Sequence, residues 1–425
     1  MNVKLRLIVM NFLQFAVWGS YLTSMGSYLA GVGMASNIGI FYAVQGIVSI
    51  FMPAIVGIIA DRWVQAQRML GSCHLLAAIF MASAGYYAMS AGQNVEFSTL
   101  FSLYTASVAF YMPTLALSYS VAYSALERAG YDTVKSYPPI RVWGTVGFIC
   151  SMLVCDFAGF QTSYLQFMQC ALLGVVLGLY SMTLPECPVG GKSERKGFVE
   201  AFGLEAFKLF KKRQMAMFFI FSMLLGISLQ ITNSFANPFI SSYKEVAEFA
   251  STFGANHANA LISLSQVSET LCILLIPFSL KHFGIKRVMM IAMFAWVLRF
   301  GLFGLGNPGG GVWMFILSMI VYGVAFDFFN ISGSLYVNMR TSGKIQNSAQ
   351  GLFMLMTNGI GATIGTLSAQ AVVNKFTHTV DTAAGNFLVG EWNTVWYIFA
   401  GYALVVAVLF MVLFKEPKNM NEKIA

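Results

Sequence analysis

Apolar residues recur in long runs broken at short intervals by glycine, proline and charge. The runs fall at 5–30, 37–60, 69–90, 97–125, 139–160, 163–185, 214–241, 257–280, 288–306, 311–337, 349–374 and 393–414. Each approaches the ~20 residues that an α-helix needs to cross a bilayer. The pattern predicts an all-α membrane protein with twelve transmembrane helices. Its sharpest interruption, 186–213, carries Gly190, Gly191, Lys192, Ser193, Glu194, Arg195 and Lys196 and ends in Lys211, Lys212 and Arg213. The predicted organisation is therefore a six-helix bundle over 1–185, a cytoplasmic linker over 186–213, and a second six-helix bundle over 214–425 with a short cytoplasmic tail.

Composition strengthens this reading. Of the 425 residues 57% are hydrophobic and 10% charged, whereas a soluble domain carries about 25% charged residues. A soluble enzyme, a disordered chain and a small disulfide scaffold are excluded. Lys4 and Arg6 precede an apolar stretch through Phe12–Leu29; without an obvious cleavage context it reads as an uncleaved first span.

The net charge of +8 would suggest nucleic acid as the partner of a soluble protein. Its distribution says otherwise. Under twelve spans, 21 of the 25 Lys and Arg fall in loops on the side of the N-terminus, and two, Lys244 and Lys375, on the opposite side. Basic residues mark cytoplasmic loops, so both termini are expected in the cytoplasm, with the lipid bilayer and not nucleic acid as the partner. Of the six cysteines, five lie in apolar runs and none forms a CxxC pair. They read as small core residues, with no disulfide, no metal and no cofactor.

Four residues in the spans demand explanation: Arg141, Glu269, Arg299 and Asp327. A charge at a helix centre costs about 2.5–3.5 kcal/mol on insertion scales, so such groups usually face a protein interior or a watery cavity. Arg141, after Pro138-Pro139, is either a site residue or a cytoplasmic anchor. Arg299, late in its span, is expected to snorkel outward. His74 is expected to be a helix-packing residue, with a proton relay as the weaker alternative.

Polar and aromatic groups share helix faces with these charges. Gln230 and Asn233 are spaced i and i+3, as are Gln266 and Glu269; Arg141, Thr145 and Phe148 are spaced i, i+4 and i+7. Tyr322, Phe326 and Asn330 form a stripe with Asp327 at its edge. Amides offer donors and acceptors to hydroxyls and heterocycle edges, and aromatic rings offer stacking faces. The combination suits a neutral, polar, partly planar solute. Asn and Gln also serve as glue between membrane helices, and Phe, at 38 copies, is common filler here. Four spans each supplying two or more such groups outweigh that plainer explanation.

Two features carry a resemblance. Gly57-Ile-Ile-Ala-Asp61-Arg62 follows Pro53, and a degraded counterpart, Gly284-Ile-Lys286-Arg287, follows Pro277. The first is similar to the G-x-x-x-D-R/K signature of the major facilitator superfamily, which implies two six-helix halves with a substrate site between them. Longer segments are more specific. Asn11-Phe-Leu-Gln-Phe-Ala-Val-Trp18-Gly-Ser20, Pro138-Pro-Ile-Arg141-Val-Trp143-Gly-Thr145-Val-Gly-Phe148, Leu229-Gln-Ile-Thr-Asn233, Ser265-Gln266-Val-Ser-Glu269 and Ala325-Phe-Asp327-Phe-Phe-Asn330-Ile-Ser-Gly333 resemble the bacterial nucleoside:proton symporters of that superfamily, over nearly the whole chain.

The resemblance implies proton-coupled uptake of nucleosides by a functional monomer, multi-pass in the bacterial cytoplasmic (inner) membrane, without a cofactor. It implies that Arg141, Thr145 and Phe148 line the site from the first half, and Gln230, Asn233, Gln266, Glu269, Tyr322, Phe326 and Asp327 from the second. The loops 243–256 and 375–392 depart freely from the family. The expected mechanism is alternating access by rocking of 1–185 against 214–425. The base stacks near Phe148 or Phe326, while Gln230, Asn233, Gln266 and Glu269 read the ribose. Asp327 is the first choice for the coupling proton, because dry surroundings disfavour a charged carboxyl; Glu269 is the second. Arg141 is expected to attract either carboxylate in the empty carrier.

A sugar or other small polar solute symporter on the same fold is the nearest alternative, and a receptor that binds without transport another. A membrane enzyme has less support: there is no HExxH or Cys/His cluster, and Gly191-Lys192-Ser193 is only a Walker fragment, with Glu186 where its first glycine belongs.

Overall fold

The computed structural model describes residues 2–187, 204–341, 345–382 and 385–415. The chain forms two units, Met1–Gly197 and Phe198–Ala425. Among the described residues nine helices are long and apolar enough to cross a membrane. Their outward faces are apolar: Leu274 is 74% exposed, Val412 63% and Phe278 59%. Leaving such a side chain in water forgoes about 1.5–3 kcal/mol, and lipid removes that loss. The Gly191-Lys192-Ser193 fragment lies outside the described residues.

The first unit is helical throughout its described length. It comprises α1 (Val3–Gly19), α2 (Met25–Gly31), α3 (Ile38–Arg62), α4 (Ala66–Ala91), α5 (Phe97–Arg128), α6 (Thr133–Phe157) and α7 (Leu165–Ser181). The expected first span is thus two helices. The break at Ser20–Ser24 follows a point where the Ser20 hydroxyl donates back to the Ala16 carbonyl at 3.0 Å, a bond that bends helices. α6 begins upstream of the expected 139, because the Asp132 carboxylate accepts from the Lys135 amide at 3.3 Å and so caps the new first turn.

α1 and α6 approach closely at Gly147. A Cβ there would lie 2.1 Å from the Phe12 carbonyl oxygen, so only glycine allows the two backbones to touch. Towards one end of the unit Leu7, Met10, Val56, Leu70, Val121, Leu126, Ile140 and Leu177 form a continuous core.

The second unit contains α8 (Arg213–Ser242), the short α9 (Phe253–Asn256), α10 (Ala258–Leu305), α11 (Val312–Arg340), α12 (Ile345–Met354), a π-helical stretch (Leu355–Gly361), α13 (Ala362–Phe376) and α14 (Trp392–Leu413). The expected loop at 281–287 is reduced to one residue. Within Ala258–Leu305 the backbone leaves helical geometry at Gly284, with φ 74° and ψ 168°, a region that L side chains avoid. The arms on either side fold back on each other: Arg299 Nη1 reaches Ser265 Oγ at 3.5 Å, whereas 34 residues of straight helix would hold them about 51 Å apart.

The segment 375–392, expected as loop, contains an antiparallel hairpin of β1 (Thr377–Thr382) and β2 (Gly385–Gly390), in which Thr377 pairs with Gly390 and Val380 with Phe387. The Thr382 hydroxyl donates to Glu245 Oε1 at 3.2 Å, which ties the hairpin to the turn after α8.

Candidate functional site

In the first unit α6 carries Arg141, Thr145 and Phe148 on one face, as their spacing predicts. Arg141 and Thr145 are half-buried and Phe148 is buried. The Arg141 guanidinium lies 3.8 Å from the centre of the Phe15 ring, a cation–π distance, and its Nε donates to the Tyr119 hydroxyl at 3.3 Å. The group is held flat by an aromatic floor and one neutral acceptor.

Phe148 meets the edge of Trp18 at 6.4 Å with the rings perpendicular. Trp18 Nε1 donates to Gln45 Oε1 at 3.1 Å, and Gln45 Nε2 donates to the Tyr104 hydroxyl at 2.9 Å. Phe15, Trp18, Gln45 and Tyr119 were not singled out from the sequence as site residues. Trp18 sits in the first of the family-like segments, which was the available signal.

His74 is fully buried, with Nε2 at 2.8 Å from Gln14 Oε1. Gln14 Nε2 donates in turn to Thr114 Oγ1 at 2.8 Å. The imidazole therefore joins α4 to α1 and, through Gln14, to α5, as a packing residue does.

In the second unit Gln230 and Asn233 share a face of α8 and bond each other, Asn233 Nδ2 donating to Gln230 Oε1 at 3.0 Å. One donor and one acceptor lone pair are thereby engaged, and the remaining amide groups stay available for a ligand.

The other five predicted residues gather where the first arm of α10 meets α11. Gln266, Glu269, Asp327 and Arg299 all lie close to the Tyr322 hydroxyl. The Tyr322 and Phe326 rings are parallel, 5° apart in orientation with centroids at 5.7 Å, an offset stack. The Ser268 hydroxyl donates to the Ile320 carbonyl and pins α10 to α11 within this cluster.

The two carboxyl groups sit in different surroundings. Asp327 is 4% exposed and Glu269 half-buried. One is enclosed beside Tyr322 and Cys272; the other keeps part of its surface accessible.

Arg299 corrects an expectation. It does not snorkel outward but is 2% exposed. Its Nη1 donates to the Ser318 carbonyl at 2.6 Å, and its guanidinium lies over the rings of Tyr322 at 4.6 Å and Phe303 at 5.2 Å. Those partners lie on α11 and its own arm, which carry it into the bundle and not towards the lipid surface.

The six cysteine thiols are free; five are buried and Cys150, expected in the core, is exposed on α6. Among the described residues no group of three or more His, Cys, Asp or Glu side chains could hold a metal ion. The side chains of Asp61 and Arg62, in the signature at the end of α3, lie outside the described residues.

Comparison with known proteins places these features in context. Residues 1–419 match the family described as Nucleoside H+ symporter. The chain is 45% identical over 418 residues to the nucleoside permease NupG of Escherichia coli (strain K12), covering 98% of this chain and 96% of that one. It is 44% identical over 429 residues to the xanthosine permease of the same organism, covering 100% and 99%. The crystal structure of the nucleoside transporter NupG superposes with a TM-score of 0.87 at 45% identity, covering 98% of this chain and 100% of that one.

Proposed function

The chain belongs to the nucleoside H+ symporter family, and from that premise we propose how it carries out proton-coupled nucleoside uptake. The substrate crosses by alternating access. Its base stacks on the aromatic surface offered by Phe326 beside Tyr322 or by Phe148 beside Trp18. The ribose hydroxyls are read by Gln266 and Glu269, with Gln230 and Asn233 supplying their remaining amide groups. Arg141 and Thr145 are the polar groups that the first unit offers to the substrate. Asp327 carries the coupling proton and Glu269 accepts from the ligand.

The observation that carries this reading is the cluster at α10 and α11. A parallel aromatic pair stands beside an amide and two carboxyl groups, one enclosed and one half-open. A planar base needs the first, a sugar needs the amide and the accessible acid, and a proton carrier is best kept from bulk water.

The driving force suffices with one proton per substrate. A charge moved through 100 mV releases about 2.3 kcal/mol, which supports roughly 50-fold accumulation of a neutral solute.

The chain acts as a monomer in the bacterial inner membrane, with both termini cytoplasmic and no catalytic activity. It crosses twelve times: Ala258–Leu305 counts as two crossings and the broken Val3–Gly31 as one, and the shorter Leu165–Ser181 crosses as well. Residues 1–185 and 214–425 are the two bundles and 186–213 the linker.

The test is uptake of radiolabelled uridine and xanthosine by proteoliposomes under an imposed inward acid gradient, with free ribose and free base as competitors. Accumulation of a nucleoside above its equilibrium level, with competition by nucleosides well ahead of ribose, is the expected outcome. Accumulation of sugars without nucleosides would replace this reading by the sugar symporter. A second expectation concerns the stack: Phe326→Ala is expected to raise the KM for nucleosides by up to about tenfold, since a well-placed aromatic pair contributes about 0.5–1.5 kcal/mol beyond its buried area.

A further inference from the structure

We infer that Arg299 is the positioning residue for the Tyr322–Phe326 platform: it fixes the Tyr322 ring and, through it, the affinity for the nucleoside base. The inference rests on the site proposed above and assigns a role to a residue that lies outside it.

Arg299 is enclosed, at 2% exposed. Its neighbours are rings, hydroxyls and a carbonyl. Nη1 donates to the Ser318 carbonyl at 2.6 Å and reaches Ser265 Oγ at 3.5 Å, while the Ser318 hydroxyl donates to the Arg299 carbonyl at 3.0 Å. Among the described residues no carboxylate pairs with the guanidinium, and its Nε has no hydrogen-bond partner. A buried cation without an anion is costly. Stability alone therefore gives a poor account of an arginine here.

What the guanidinium does touch is Tyr322. Its carbon lies 4.6 Å from the ring centre, and the Trp296 ring packs perpendicular to Tyr322 at 6.0 Å. The hydroxyl end of Tyr322 lies beside Gln266. Cation, indole and amide thus define the ring at three places, and Phe326 lies parallel to it at 5.7 Å. Only a planar cation stacks on a ring and donates to a carbonyl in the same plane as its own fork. Removal of the guanidinium takes away one of these three neighbours and loosens the ring, and with it the stacking surface.

The experiment is a double-mutant cycle on the full chain in proteoliposomes. It measures the KM and maximal rate of acid-driven uridine uptake for Arg299→Met, Tyr322→Ala and the double variant, with thermal unfolding of each in detergent. Tyr322→Ala is expected to raise KM up to about tenfold. Arg299→Met is expected to raise it comparably, with maximal rate and unfolding temperature maintained, and the double variant to be no worse than Tyr322→Ala. Arg299→Lys, which keeps the charge without the plane, is expected between wild type and Arg299→Met. If Arg299→Met does not fold, Arg299→Lys with and without Tyr322→Ala supplies the same cycle.

Multiplying effects in the double variant, or an unchanged KM in the Arg299 variant, would overturn the positioning role while leaving the site itself standing. An unchanged KM in Tyr322→Ala would instead overturn the site.

Discussion

Replacing Asp327 by asparagine is expected to abolish uphill accumulation of nucleoside while leaving nucleoside exchange in place. The substitution keeps the size and hydrogen-bonding capacity of the side chain but removes the proton it can exchange. Asp327 is 4% exposed on α11, beside Tyr322 and Cys272. A carrier fixed in the neutral state can still bind substrate and reorient, so radiolabelled uridine should equilibrate and exchange. It can no longer draw on the ~2.3 kcal/mol that one proton delivers per 100 mV. In proteoliposomes under an inward proton-motive force equivalent to about 100 mV the accumulation ratio should fall from about 50 towards about one. Undiminished accumulation would remove Asp327 from the coupling role and leave Glu269→Gln as the next variant for the same assay. Loss of exchange together with accumulation would mean that the carboxylate binds substrate as well.

The chain shows where reasoning from residue pattern succeeds in a membrane protein. Apolar runs locate helices because lipid demands them, and the i, i+3 and i, i+4 spacings of Gln266 with Glu269 and of Arg141 with Thr145 fix which side chains share a face. These are local properties of one helix. What the pattern misses depends on a second helix. Arg299 sits near the end of its run and has the length to snorkel; the Ser318 carbonyl and the Tyr322 ring, both on α11, help to hold it inside. Asn233 and Gln230 look like two independent ligands until the bond between their side chains appears. Trp18 looks like lipid-compatible filler, although its indole is directed by Gln45 on α3 and its ring packs on Phe148. The break after Gly19 does not interrupt the apolar run, because Ser20–Ser24 contains no charge and no proline. The hairpin at 377–390 lies in a stretch that hydropathy labels only as polar.

Gly147→Val is expected to disable the protein through its fold, and the reason lies in one distance. A Cβ at Gly147 would stand 2.1 Å from the carbonyl oxygen and 2.8 Å from the carbonyl carbon of Phe12. The obstacle is backbone, so no side chain can swing aside, and α1 must move off α6. Overpacking in a well-formed core costs about 1–3 kcal/mol where side chains can adjust; the penalty here should lie at or above the top of that range. The same displacement carries Phe15 away from Arg141, whose guanidinium lies 3.8 Å above its ring, and Trp18 away from Phe148. Residual folded protein should therefore transport poorly as well as unfold early. Gly401→Val is the matched control: it makes the same change inside α14, where a Cβ meets nothing within 4 Å. Thermal unfolding in detergent and uridine uptake should separate the two, with Gly147→Val unfolding several degrees earlier and Gly401→Val near wild type. Equal behaviour of the pair would show that the contact between α1 and α6 can yield, and that the first-unit face bearing Arg141, Thr145 and Phe148 does not depend on it.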